Sequence, residues 1–187
     1  YGSNAIGGVI NLIREEIPAS VPEQARGMLS LQAQSVNDGL AGGASAETGL
    51  GAFALRAEGS FRRADDLDTP SGPLVNTDLE TYSLSAGLSR VVEAGHYGLA
   101  YRYYDNGYGI PGGFVGSHPE GVDIRMRRHT TRAEGEYHVN AGGFSTVEAT
   151  AIFTDYEHRE IEDHGEVGTF FGQQIVASDI LARHDTL

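Results

Sequence analysis

Phe53-Ala-Leu-Arg-Ala-Glu-Gly-Ser-Phe61 alternates with a period of two. Successive side chains of an extended chain point to opposite sides, so Phe53, Leu55, Ala57, Gly59 and Phe61 share one face. Arg56, Glu58 and Ser60 share the other. A helical period would scatter these residues, so the stretch predicts a strand with one apolar and one polar surface. Working outward, the period recurs. Leu29, Leu31 and Ala33 oppose Ser30, Gln32 and Gln34, and Tyr82, Leu84, Ala86 and Leu88 oppose Thr81, Ser83, Ser85 and Ser89. Tyr97, Leu99, Tyr101 and Tyr103 oppose His96 and Arg102, and Val147, Ala149, Ala151 and Phe153 oppose Glu148, Thr150 and Thr154.

Three further stretches are less regular: the small-residue run 40–49, the charged segment 124–137, and residues 173–184. In the second, the better phase sets His129, Thr131, Ala133, Gly135 and Tyr137 against Arg128, Arg132, Glu134 and Glu136. The chain is therefore expected to be all-β, with about eight strands of roughly 9–12 residues, close to the length of a tilted membrane-crossing strand. Ser30, Gln32, Gln34, Arg56, Glu58, Arg132, Glu134 and Glu148 would line a polar interior.

Composition agrees. Gly is 26 of 187 residues, Lys, Cys and Trp are absent, and hydrophobic residues make up 40%. No disulfide or thiol chemistry is available. Mean hydropathy is −0.28, but transmembrane barrels alternate lipid-facing and lumen-facing residues and keep a polar average. No run approaches the roughly 18 apolar residues of a membrane helix. The net charge of −13 disfavours nucleic-acid binding, which uses basic patches.

The connections carry a second signal. They read short at 37–39 and 50–51, long at 63–79, short at 91–95, long at 105–122, short at 138–143 and long at 155–172. From the second onward, short and long alternate, as periplasmic turns and extracellular loops do in outer-membrane barrels. Phe61, Tyr82 and Tyr103 fall near the long-loop ends, and Tyr97, Tyr137 and Phe144 near the short-turn ends, as two aromatic girdles would.

The chain opens Tyr1-Gly-Ser-Asn-Ala-Ile-Gly-Gly-Val-Ile-Asn-Leu-Ile13, a Gly-rich run feeding a short apolar strand. At Tyr1, Gly2, Ser3, Ala5, Ile6, Gly7, Gly8, Val9, Ile10 and Asn11 it resembles the motif that ends the plug domain of TonB-dependent outer-membrane receptors. Within it, Tyr1, Gly2, Gly7, Gly8 and Asn11 are the plug-motif residues. The resemblance implies that residues 1–14 end a plug, 15–25 form a linker, and 26–187 begin a transmembrane antiparallel β-barrel. Barrels of that family have about 22 strands, of which this chain would supply about eight in meander order.

The resemblance further implies TonB-coupled active uptake of a scarce nutrient, siderophore-bound iron or a metal ion, across a Gram-negative outer membrane. The implied partners are the TonB-ExbB-ExbD energy-transducing complex, the nutrient ligand and outer-membrane lipid. No cofactor and no enzymatic activity are expected. The TonB-contacting box would lie upstream of Tyr1.

Two expected loops concentrate possible ligand groups, because imidazole with carboxylates suits borderline divalent metals. Tyr108-Gly-Ile-Pro-Gly112 and Tyr156-Glu-His-Arg-Glu160 are similar to segments of a receptor subgroup that includes zinc-uptake proteins. The candidate metal ligands are His118, Glu120, His158, Glu160, Asp163 and His164. That subgroup often carries a His-rich loop where this chain has the one imidazole of His118, and an iron–siderophore fits the general family equally. Asp65, Asp66 and Asp68 lack the closing Glu of a calcium loop. There is no phosphate-binding P-loop, HExxH or Gly-X-Ser-X-Gly. The readings from other classes are a passive porin or adhesin barrel and an outer-membrane hydrolase with residues at its rim.

Overall fold

The computed structural model describes residues 15–114, 118–141, 143–162 and 165–184. The plug-motif residues Tyr1, Gly2, Gly7, Gly8 and Asn11 lie outside these residues, as do Asp163 and His164. The elements in chain order are β1 (Arg26–Gln34), β2 (Gly39–Leu50), β3 (Phe53–Ala64), β4 (Leu67–Thr69), β5 (Gly72–Leu74), β6 (Leu79–Val92), β7 (Gly95–Ile110), β8 (Val122–Ala141), β9 (Phe144–Glu162) and β10 (Glu166–His184). The fold is all-β. Eight strands make one antiparallel sheet in the order β1-β2-β3-β6-β7-β8-β9-β10, and β4 and β5 pair as a separate small hairpin. The sheet is open, with β1 and β10 each paired on one side only.

Register carries the alternation of single strands into whole rows. One row reads Ala46, Ala57, Ala86, Tyr101, Thr131, Phe153 and Val176 across β2 to β10. The next on the same face reads Thr48, Leu55, Leu88, Leu99, Ala133, Ala151 and Ser178. A row on the opposite face reads Ser45, Glu58, Ser85, Arg102, Thr130 and Thr154. A slip of one residue in any pair would carry apolar groups to the polar side, so the pattern itself fixes register.

Residues 15–25 cross the polar face. The Ile17 side chain is buried at 4% exposure against Gly98. The Pro18 carbonyl accepts a hydrogen bond from Ser89 Oγ at 2.5 Å, and Glu16 is ion-paired with Arg102. A side chain at Gly87 would collide with the Glu16 carbonyl, and one at Gly98 with Ile17. Glycine at these positions lets a second backbone lie directly on the sheet.

Strands β6 to β10 extend beyond the predicted lengths. Residues 155–172, expected as a long loop, instead carry β9 to Glu162 and start β10 at Glu166. In this stretch Asp155, Glu157 and Arg159 lie on one face and Tyr156, His158 and Glu160 on the other. Both faces are polar there, so no hydrophobic alternation marks strands whose backbone pairing simply continues. The expected long loop at 63–79 shortens to 65–78 and holds the β4–β5 hairpin. The one at 105–122 shortens to 111–121, with a single 3-10 turn at Gly112–Phe114.

Candidate functional site

The described residues of the connections 65–78 and 111–121 lie at the end of the sheet where β9 stops at Glu162 and β10 starts at Glu166. Asn76 stitches the two connections together, donating from Nδ2 to the carbonyls of Ile110 at 3.0 Å and Val122 at 3.3 Å. Its φ of 64° is a left-handed conformation that Asn tolerates better than most residues. Asp66 Oδ1 accepts from the backbone N–H of Thr77 at 2.7 Å and of Asp78 at 3.1 Å, which holds the loop in its turn. Gly109 N–H then donates to the Asp78 carbonyl at 3.0 Å. Asn76, Glu120, Asp123 and Glu162 line a cavity of about 160 Å³.

The carboxylates crowd one another. The Asp78 carboxyl is pushed above its ordinary value, first by burial and then by the charges of Asp123 and Asp66, with Arg125 opposing. Removal from water and like charges both disfavour the ionised form.

The predicted ligand residues divide into two groups. His118 Nε2 lies 3.9 Å from Glu162 Oε1, and Glu120 lines the same cavity as Glu162. His158 Nε2 stands 3.6 Å from Glu160 Oε1, with Tyr156 Oη 3.3 Å from its Nδ1. Among the described residues, no group of three or more His, Asp or Glu side chains is arranged to hold a metal ion. Asn76, Asp78 and Asp123 were not singled out by sequence. Asn76-Thr-Asp78 carries an ordinary turn signal, but its meeting with residues 110–123 depends on long-range folding.

Below this rim the polar face is an electrostatic wall. Glu47, buried at 6% exposure, accepts from Arg26 at 2.8 Å and Arg56 at 3.0 Å, and Arg56 also pairs with Glu58. Arg132 pairs with Glu134 at 2.7 Å, and Glu134 lies 3.6 Å from His96. Nearer the loops, the Arg128 guanidinium sits 5.3 Å from the Tyr104 ring centroid. Tyr156 meets Phe171 edge-on at 6.2 Å.

On the opposite face two concavities, of about 910 and 720 Å³, are lined chiefly by apolar surface of residues such as Leu55, Leu88, Leu99, Ala133 and Ala151. They are broad depressions over the rows of small residues, with Arg90 and Asp179 among the residues that line the first and Arg26 and Arg56 among those that line the second. Toward the loops this face ends abruptly. Arg127 pairs there with Asp105 and Glu157, each at 3.3 Å. No known protein-family model matches the chain.

Proposed function

We propose that the chain is the plug-to-barrel segment of a TonB-dependent outer-membrane receptor, serving energy-coupled uptake of siderophore-bound iron or a metal ion. The observation that carries this reading is the contrast between the two faces of one sheet. Leu84, Leu99, Val176 and Ile180 are 59%, 60%, 79% and 79% exposed on the apolar side, while the other side holds an ion-paired wall. A continuous apolar face of this kind is a liability in water and is the surface a hydrocarbon layer covers. The free edges of β1 and β10 cannot stay unpaired in lipid, and the further strands of a receptor barrel would close them.

The strap of residues 15–25 favours a receptor over a passive porin. Its pairing of Glu16 with Arg102 and of Pro18 with Ser89 holds it on the polar face of the sheet, the side on which a plug-to-barrel junction would run. The acidic and histidine-bearing rim would face the cell exterior and receive the nutrient.

The chain contains no cysteine, so single labels can test the topology. Ser71→Cys, in the turn of the β4–β5 hairpin, should react with a membrane-impermeant maleimide on intact cells. Glu93→Cys, in the β6–β7 turn, should react only after the outer membrane is permeabilised. Equal or reversed labelling would overturn the reading. Nutrient uptake should also stop when an uncoupler collapses the proton-motive force; uptake that persists would favour the porin.

A further inference from the structure

We propose that Arg125, Arg127 and Arg159 form a binding site for the phosphate of an outer-leaflet lipid, an inference that rests on the membrane reading above. All three lie on the face that is apolar lower down. In β8 that face runs Tyr137, Gly135, Ala133, Thr131 and His129, then Arg127 and Arg125. Arg127 is two residues beyond His129, about 7 Å along the strand, where a hydrocarbon layer would give way to headgroups.

The register makes the cluster unusual. Arg125 of β8 stands directly opposite Arg159 of β9, and like charges so placed are destabilising unless something compensates them. Asp105 and Glu157 compensate Arg127. Glu157 is shared with Arg159 at 3.7 Å, and among the described residues Arg125 makes no ion pair within 4.0 Å. Asp78 senses the Arg125 charge from the loop side. Three guanidinium groups thus meet two carboxylates in the groove, in a chain whose net charge is −13.

The groove has a volume of about 310 Å³, and Met126, Ile161 and Val167 also line it. A planar guanidinium donates two parallel hydrogen bonds to phosphate oxygens. The apolar wall and the apolar face below offer room for the attached acyl chains. A phosphate on a lipid satisfies both features, whereas a soluble anion uses only the first.

The test uses the full-length protein reconstituted with lipid A, whose phosphomonoesters supply the required chemistry, and reads lipid retention by native mass spectrometry. Arg125→Gln/Arg159→Gln should lower retention about tenfold, the scale of one lost charge-assisted contact. Arg90→Gln, on the same face at the opposite border and bonded to Tyr97 Oη at 3.3 Å, should leave retention unchanged. Dephosphorylated lipid A should not be retained, and excess inorganic phosphate should not displace the phosphorylated form. Unchanged retention in the double variant, equal loss in Arg90→Gln, or displacement by inorganic phosphate would overturn the proposal. Surface labelling of Ser71→Cys in the same preparations separates the two failures. Normal labelling with unchanged retention removes only the lipid site, and lost topology removes the membrane reading.

Discussion

Strands β7, β8 and β9 pass through two different surroundings on either side of the rung formed by Asp105, Arg127 and Glu157. Below it, one face is Tyr97, Leu99, Tyr101, Ala133, Ala149, Ala151 and Phe153, and the other is polar and partly covered by the strap at residues 15–25. Above it, charged groups occupy both faces, as Arg125 and Arg159 do on one and His158 and Glu160 on the other. The backbone ladder continues unbroken from one region into the other. Strand pairing is therefore indifferent to the change, and side-chain chemistry alone decides what each region can touch. The lower region offers one apolar and one polar surface, and the upper region is polar on both.

The sharpest way to break this comparison is one substitution placed in both regions of β9. Ala151→Arg puts a charge in the middle of the apolar rows and should cost about 2–4 kcal/mol in a bilayer. Ile161→Arg, on the same face of the same strand but above the rung, should change stability by no more than about 0.5 kcal/mol. Urea unfolding in phospholipid vesicles measures both. Equal costs would mean that the outward face is uniform in its surroundings and would sink the two-region picture.

A second, smaller effect concerns the inward face. Arg102 and Glu16 are each only 13% exposed at the side chain, and Arg102 Nε and Nη2 have no further hydrogen-bond partner. Arg102→Met would strand the Glu16 carboxylate beneath the strap, at about 1–3 kcal/mol. The double variant Glu16→Gln/Arg102→Met should recover most of this loss. A double variant as weak as the single one would show that Arg102 acts through packing of its stem and not through its charge.

The same boundary explains what could be read from sequence. Residues 53–61 and 80–90 announced themselves as strands because one face is apolar and the other polar, and β3 and β6 exceed those limits by only a few residues. Above the rung that contrast vanishes, so the upper parts of β9 and β10 resembled a loop. His158 and Glu160 stood out by residue type, yet their sharing of one face follows only from the strand they occupy. The contacts of Asn76 with Ile110 and Val122, and of Glu16 with Arg102, join distant segments through the folded sheet. No local pattern encodes such pairs.

The smallest expected effect lies at the top of the upper region, in the crowded carboxylates around Asp78. Burial, Asp123 and Asp66 raise its carboxyl above the ordinary 3.8, so the folded state holds that proton more tightly than the unfolded chain does. The resulting stabilisation is complete below the unfolded value and is lost as pH rises through the folded one. At neutral pH the ionised group opposes folding. Asp78→Asn removes this opposition while leaving its backbone bonds to Asp66 and Gly109 in place. The variant should unfold at a slightly higher urea concentration than the parent at neutral pH. The gap should close as pH falls toward 3.8. A gap that stays constant with pH would trace the gain to loop packing, and a destabilised variant at neutral pH would show that the Asp78 charge is compensated by Arg125. The carboxylates above the rung would then be no more strained than the ion pairs below it.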